Sequence, residues 1–209
     1  MNVEYSDHTS FSNISTLKLA SCNLKTFLSF LRNKSTLDIL DLSHNQIRGK
    51  VPNWIWKLQN LQSLNVSHNM LTDLEGPLQN LTSNLVALDL HNNQLKGLIP
   101  VFSKYVSYLD YSMNKFGSVI PHDIGNYLSH TTFLSLSNNT LHGSIPNSIC
   151  NAWNIEVLDI SINNISATIP SCLIKMTQNL VVLNMRKNNL IDTISDVFSP
   201  SYALRTLDL

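Results

Sequence analysis

The stretch Leu134-Ser-Leu-Ser-Asn-Asn-Thr-Leu-His-Gly-Ser-Ile-Pro146 decides the fold, because its spacing L-x-L-x-x-N-x-L-x-G-x-I-P returns along the chain. The same spacing occurs at 40–52 and 88–100, and residues 158–170 keep its apolar, asparagine and proline positions. The asparagine position of this template falls at Cys22, Asn45, Asn69, Asn93, Asn114, Asn139, Asn163 and Asn188. The steps between these residues are 21 to 25, a period typical of leucine-rich repeats.

Each template position has a physical role that predicts local structure. Leu134-x-Leu136 alternates apolar and polar residues, which indicates a short strand with one buried face. Asn139 follows where the chain turns inward, and its carboxamide can bond backbone groups that would otherwise be buried unpaired. We therefore expect parallel strands in one sheet, centred on 40–42, 64–66, 88–90, 109–111, 134–136, 158–160 and 183–185.

The predicted fold class is an α/β solenoid, a right-handed leucine-rich-repeat horseshoe with a parallel sheet on the concave face. Apolar residues at steps of three after Pro52 predict short helical or 3₁₀ segments on the convex face. The short step through 100–105 leaves no room for such a helix. Residues 1–13 fit no repeat and are expected to be a frayed segment, whereas 14–209 form one domain of about eight repeats and a truncated ninth.

Composition narrows the function classes. The 209 residues are 43% apolar and only 13% charged, with zero formal net charge, so electrostatics do not favour nucleic acid or an anionic membrane as a partner. Serine, histidine and aspartate occur in rows instead of converging, and phosphate loops and CxxC spacings are absent from the sequence. We expect a non-catalytic protein without a cofactor or a metal; the histidines His44, His68 and His91 are a weak signal for metal binding or pH sensing.

The two ends suggest that the chain is a segment of a longer protein. Residues 1–8 lack the basic and apolar regions of a signal peptide, and no apolar run reaches the roughly 18 residues that span a bilayer. The chain stops at Leu207-Asp-Leu209, within the next strand template.

Cysteines and glycosylation sequons indicate an extracellular context. Cys150 and Cys172 follow the prolines of successive repeats and are a candidate disulfide, whereas Cys22 is expected to be a buried thiol. Candidate glycosylation sites are Asn13, Asn33, Asn65, Asn80, Asn138 and Asn164. On the convex side, Asn33 and Asn80 should carry glycans more readily than Asn65, which stands on the crowded sheet.

The concave face carries the candidate ligand site. Aspartates recur between the two strand leucines at Asp41, Asp89, Asp110, Asp159 and Asp208, where they are expected to form a solvated face. The position before the first leucine is apolar in four successive repeats: Tyr108, Phe133, Val157 and Val182. With Asp110 and Asp159 at its border, this column has the pattern of an apolar hot spot in a polar rim. The alternative is that these neighbours only stabilise the sheet.

Local motifs carry a resemblance to a known family. The Gly-x-Ile-Pro extension is similar to the plant-specific repeat, and Leu19-Ala-Ser-Cys-Asn-Leu24, Pro52-Asn-Trp-Ile-Trp56, Leu88-Asp-Leu-His-Asn-Asn93 and Ile169-Pro-Ser-Cys-Leu173 resemble plant receptor-like proteins of the Verticillium-wilt-resistance type. The resemblance implies an ectodomain segment of a plasma-membrane receptor without a kinase domain. Such a receptor binds an extracellular peptide or protein signal in defence or development and depends on a co-receptor kinase, with a C-terminal membrane helix that this chain lacks.

Two alternatives remain at this point. Secreted inhibitors of cell-wall-degrading enzymes use the same plant-type repeats without an anchor. A repeat array without caps exposes core at both ends, so a gene fragment without function is the other alternative.

Overall fold

The computed structural model describes residues 13–76, 84–101, 105–175, 179–191 and 203–209. Its main element is a nine-stranded sheet, here called the inner sheet, in which neighbours along the chain are neighbours in space and every pair is parallel. The strands are Thr16–Lys18, Ile39–Asp41, Ser63–Asn65, Ala87–Asp89, Tyr108–Asp110, Phe133–Ser135, Val157–Asp159, Val182–Asn184 and Thr206–Asp208. The predicted parallel solenoid is confirmed, with each strand beginning one residue before its first leucine.

The register of the inner sheet follows from its leucines. Leu64 pairs with Leu88 and Leu88 with Leu109, and the same equivalence holds in every repeat of the sheet. Leu40, Leu64 and Leu88 are at most 1% exposed, as members of one continuous core that runs the length of the array. A slip of one residue would turn this row to solvent, so burial fixes the register.

The template asparagines form a ladder that ties each repeat to the one before it. Asn93 accepts the Leu71 N–H through Oδ1 at 3.0 Å, and its Nδ2 donates to the carbonyls of Val66 at 3.0 Å and Leu90 at 3.1 Å. The same pattern is made by Asn45, Asn69, Asn114, Asn139, Asn163 and Asn188. Each carboxamide therefore satisfies turn groups in two repeats at once.

The expectation of a buried Cys22 is wrong, because this side chain is exposed. Cys22 occupies the ladder position of the first repeat, and no strand of the described chain packs against its N-terminal side. Among the described residues the thiol bonds the Ala20 carbonyl, whereas the Cys22 N–H is bonded to the Asn45 carboxamide of the next repeat.

The turn around each ladder residue needs a left-handed backbone. The residue just before it has a positive φ in every repeat: Ser21, His44, His68, Asn92, Met113, Asn138, Ile162 and Lys187. A second left-handed position lies four residues after the asparagine, at Gly49, Gly97 and Gly143, with φ of 80° to 92°. In the seventh repeat this position is Ala167, which keeps φ at 71°.

Short flanking strands, which the sequence pattern did not predict, follow the ladder on one side of the solenoid. They are Arg48–Val51, Met70–Leu74, Lys96–Gly97, Lys115–Phe116, His142–Gly143, Asn164–Ala167 and Asn189–Leu190. Their pairs are again parallel. Where the template has its glycine, the flanking strand starts at the residue before it, so Gly49, Gly97 and Gly143 are each the second residue of a flanking strand.

The convex side carries short helices, as expected. Within the described residues, four are 3₁₀ helices, Ser29–Asn33, Ile55–Lys57, Ile124–Tyr127 and Asn147–Asn151, and Ser171–Lys175 is α-helical. The described residues of the fourth repeat contain no helix, and residues 102–104 of its short connection lie outside the described chain. A second row of amides, Asn60, Asn84, Asn154 and Asn179, donates to carbonyls of the preceding repeat at 2.5 to 2.8 Å.

The candidate disulfide lies on neighbouring convex segments. Cys150 belongs to the helix Asn147–Asn151 and Cys172 to Ser171–Lys175, with α-carbons 5.7 Å apart and the two sulfur atoms joined in the structure. This separation is ordinary for a disulfide. The bridge crosses between two adjacent repeats.

The ladder predicts that Asn93 and Asp89, which belong to the same repeat, contribute differently to the free energy of unfolding. Asn93→Ala should lower the free energy of unfolding by about 2–3 kcal/mol, because it leaves buried turn groups of two repeats unpaired. Asp89→Ala should destabilise the chain clearly less, since among the described backbone donors the Asp89 carboxylate accepts only the His91 N–H. Denaturant titrations of the two variants of this chain would check it, and equal losses would contradict the ladder assignment.

The left-handed position of Ala167 predicts a stabilising substitution. Ala167→Gly should raise the free energy of unfolding by about 1 kcal/mol, because a residue with a β-carbon is disfavoured at positive φ. Gly97→Ala is the matched control and should have the opposite sign, as its added β-carbon would meet no atom within 4 Å, leaving only the backbone penalty at φ 92°. Thermal melts would measure both, and a destabilised Ala167→Gly variant would refute the argument.

Candidate functional site

The predicted apolar residues form one column across four strands of the inner sheet, here called the apolar column. Tyr108 pairs with Phe133, Phe133 with Val157, and Val157 with Val182. All four side chains are half-buried, whereas the leucines that follow them are in the core. The structure thus brings the predicted residues together on the concave face.

Tyr108 and Phe133 are the dominant feature of this column. Their rings stack with centroids 4.5 Å apart and planes inclined by 9°. The Tyr108 hydroxyl donates to Asp110 Oδ2 at 3.4 Å. Burial raises the pKa of Tyr108 to about 12, with further contributions from the carboxylates of Asp110 and Asp89. The hydroxyl therefore stays protonated at physiological pH and donates to one of these carboxylates, that of Asp110.

The residues two places further along each strand form a second row, here called the polar column. In register its members are Lys18, Asp41, Asn65, Asp89, Asp110, Ser135, Asp159, Asn184 and Asp208. The candidates Asp110 and Asp159 belong to it and border the apolar column, as expected. Asp89 was not among the candidate site residues, although it shares the same register.

The polar column is more than the solvated face expected from the sequence. Asp41, Asp89, Asp110 and Asp159 each accept the backbone N–H of the residue two positions on, at 2.9 to 3.0 Å. Asn65 does the same for Ser67 at 2.9 Å. These bonds close an Asx turn after each strand, so the side chains have a structural role besides facing the ligand side.

The charges of the polar column are compensated unevenly. At its end, Arg186 Nε lies 3.6 Å from Asp208 Oδ2, and in the first strand Lys18 is the register partner of Asp41. Asp89 and Asp110 are register partners on adjacent strands, and within the described residues neither forms an ion pair with a basic side chain. Burial raises the pKa of Asp89, and the neighbouring Asp110 carboxylate adds to that rise, while the His91 N–H opposes it.

Three histidines lie beside the N-terminal part of the polar column. The rings of His44 and His68 stack at 4.0 Å, and His91 contacts His68 edge-on at 4.9 Å. Burial, followed by the neighbouring histidines, lowers the pKa of His68. Stacked rings do not converge on one point, and among the described residues no group of three or more His, Cys, Asp or Glu could hold a metal ion.

The candidate glycosylation sites differ in their surroundings. Asn13, Asn33, Asn138 and Asn164 are exposed. Asn65 is half-buried, and its Oδ1 accepts from both the backbone N–H and the hydroxyl of Ser67, the serine of its own sequon. Asn80 lies outside the described residues. Occupancy of these sites stays a prediction.

Comparison with known proteins assigns the family. Leucine rich repeat family models match residues 12–71, 84–104, 130–152 and 154–176. The chain belongs to the leucine-rich-repeat family. It is similar to receptor-like protein 54 of Arabidopsis thaliana, with 33% identity over 190 residues that cover 90% of this chain and 21% of the relative. The chain thus spans about a fifth of that relative, and the resemblance to plant receptor-like proteins is confirmed.

Solved structures support the same fold. A TDR receptor superposes with a TM-score of 0.80 at 26% identity, covering 88% of this chain and 32% of the receptor chain. The Arabidopsis receptor kinase HAESA, solved in complex with the peptide hormone IDA and the co-receptor SERK1, gives a TM-score of 0.65 at 27% identity. That match covers 85% of this chain and 34% of HAESA. Across the described part of the present chain, no helix is long and apolar enough to cross a membrane.

The raised pKa of Asp89 predicts that replacing this carboxylate by a neutral side chain stabilises the chain at neutral pH. Because the folded state disfavours the ionised carboxylate, stability is lost as pH rises from the ordinary pKa of 3.8 through the raised value. Asp89→Asn removes this loss and keeps an acceptor for the His91 N–H. Its melting temperature should exceed that of the parent chain near pH 7 and match it near pH 3.

Asp41→Asn is the matched control, since it makes the same chemical change beside Lys18. Thermal melts of both variants at the two pH values would measure the effect. An Asp89→Asn variant that gains no stability at neutral pH relative to acidic pH would contradict it.

Proposed function

We propose that this chain is the ligand-recognition segment of a plant cell-surface receptor-like protein in defence or developmental signalling. Its parent would stand in the plasma membrane with the repeats on the extracellular side. The segment would bind an extracellular peptide or protein on its concave face, without catalysis, and a co-receptor kinase would join the full-length receptor. Membrane attachment would come from another part of the parent.

The half-buried stack of Tyr108 and Phe133 is the observation that carries this proposal. Sheet stability alone does not require an aromatic pair on a concave face, since Ser63 and Ala87 occupy the same register position in neighbouring strands. Large aromatic side chains surrounded by polar groups are the usual anchors of protein recognition. The apolar column extends this anchor over Val157 and Val182, and Asp110 and Asp159 supply polar contacts along its edge.

The comparisons support the general class of ligand. Receptor-like protein 54 supports a receptor segment, and the HAESA complex shows that a related array is found with a peptide hormone and a co-receptor. An extended peptide suits a column of this length, because four strands at about 4.8 Å spacing present a row of roughly 15 Å.

Peptide selection with the chain itself would test the proposal. The purified chain is offered a displayed library of random linear peptides, and the peptides it enriches are resynthesised as probes. Tyr108→Ala combined with Phe133→Ala should weaken their binding by at least ~2 kcal/mol, roughly 30-fold, since hot-spot side chains contribute on this scale. Calorimetric titration would measure the affinity, and circular dichroism would verify that the variant is folded.

Trp153→Ala is the control variant, because Trp153 is an exposed aromatic residue (66% exposed) just after the convex helix Asn147–Asn151. It should leave affinity unchanged. No enriched peptide, or equal binding to the folded double variant, would refute recognition through the apolar column.

A further inference from the structure

The aromatic stack has one open ring face. The 4.5 Å separation of the Tyr108 and Phe133 centroids is close to the spacing of about 4.8 Å between strands, so the two rings stack along the sheet. The outer face of Phe133 is directed to the strand of Val157, which carries a branched side chain. The outer face of Tyr108 is directed to the strand of Ala87 and, beyond it, to Ser63.

Small side chains leave a notch beside this open face. Other strands place Ile39, Val157 or Val182 at the position that Ala87 and Ser63 occupy. Because Ala87 has only a methyl group, the volume of a larger side chain is missing next to the Tyr108 ring. We use the term Tyr108 notch for the space bounded by Ser63, Ala87 and Tyr108.

Two carboxylates stand at the side of the Tyr108 notch. Asp89 lies two residues after Ala87, and Asp110 two residues after Tyr108, so both project from the same face of the sheet as the notch. Asp89 accepts the His91 N–H and a bond from the Ser67 side chain, and Asp110 accepts the N–H and hydroxyl of Ser112 and the Tyr108 hydroxyl. A carboxylate offers about four lone-pair sites, so both keep capacity for another donor.

Among the described residues this pair of carboxylates has no salt bridge, and the His91 ring, which acts on Asp89 electrostatically, is itself hydrogen-bonded to Ser112. The two carboxylates are adjacent register partners and, among the described residues, neither has an ion-pair partner. Asp41 and Asp208, which occupy the ends of the same column, have Lys18 and Arg186 beside them. Asp159 also has no ion-pair partner among the described residues, but Asp89 and Asp110 are the two carboxylates of the column that are direct register partners, and they lie next to the open aromatic face.

We infer that the Tyr108 notch binds an arginine side chain of the peptide ligand, with the guanidinium stacked on Tyr108 and bonded to Asp89 and Asp110. A guanidinium is planar and stacks on aromatic rings, and its fork of donors matches carboxylates. A lysine ammonium is a compact point charge without a stacking plane. This inference rests on the proposed function and specifies the ligand chemistry that the concave face selects.

The test compares peptides that differ only in one charge. Each selected peptide that contains arginine is synthesised in two forms, one with the arginine and one with citrulline in its place. Citrulline has nearly the same shape as arginine but no charge. Citrulline should weaken binding to the parent chain by at least about tenfold. In the Asp89→Asn, Asp110→Asn double variant the two peptides should bind alike, while Asp41→Asn should keep the full preference.

Both substitutions to asparagine retain the acceptor that closes each turn, so the variants keep the parent's turn bonds. Ala87→Leu is an independent test, because leucine fills the Tyr108 notch and a branched side chain is already accepted at this register position in other strands. It should lower affinity for the arginine peptide at least about tenfold. Circular dichroism would verify folding.

The outcomes separate this inference from the proposed function. Selected peptides without arginine, a citrulline peptide that binds as well as its parent, or unchanged affinity in Ala87→Leu would overturn the Tyr108 notch. Binding that still requires Tyr108 and Phe133 in those cases would leave the proposed function standing. If no peptide binds the chain, both the arginine site and the proposed function are refuted.

Discussion

The carboxamide of each ladder asparagine is the interaction on which the rest of the structure depends. It bonds backbone groups of its own turn and of the preceding repeat, as Asn139 does with Phe116, Tyr111 and Leu136. These bonds lie inside the core, where an unpaired amide costs about 1–3 kcal/mol. The ladder therefore fixes the translation from one repeat to the next, and every other row of side chains inherits that translation.

The rows on the concave face follow directly from this constraint. Because adjacent strands are held in register, equivalent residues such as Tyr108 and Phe133 must face each other at the strand spacing. The Tyr108 and Phe133 rings stack in parallel at this spacing. Each ring is half-buried and packed against the other, which reduces the side-chain freedom that ligand binding would otherwise have to remove.

Sequence periodicity was sufficient for the parallel sheet, its register and the composition of the apolar column. Those features depend only on spacing, and the spacing from Leu88 to Leu109 is visible in the sequence even though that repeat is short. The flanking strands were missed because their pairs are only a few residues long and several of the strands include a left-handed residue, such as Gly97 or Ala167, that interrupts a regular strand pattern. The exposure of Cys22 was missed because the template assigns burial by position, whereas burial also needs a neighbouring repeat.

The candidate site was predictable in part for the same reason. The sequence placed Tyr108, Phe133, Asp110 and Asp159 on one face, but it could not show that the aromatic rings stack or that the polar column closes turns. Asp89 became a candidate residue only because of its neighbours in the structure. Asp110, which has no ion-pair partner among the described residues, lies beside it, and Ala87 leaves space next to Tyr108. Sequence spacing identifies the rows of side chains, whereas contacts between the rows are visible only in the three-dimensional structure.

The turn chemistry explains why charge on the polar column is free to vary. The fold requires an oxygen that accepts the N–H two residues on, and Asp110 and Asn65 both provide one at 2.9 Å. Asparagine would satisfy the turn as well as aspartate and would avoid the burial of charge, and the smaller repulsion from Asp110, that raise the pKa of Asp89. A charged side chain at Asp89 is therefore a cost to stability that the turn does not demand. Such a cost is typical of residues that serve recognition, and it lies next to the one open aromatic face of the column.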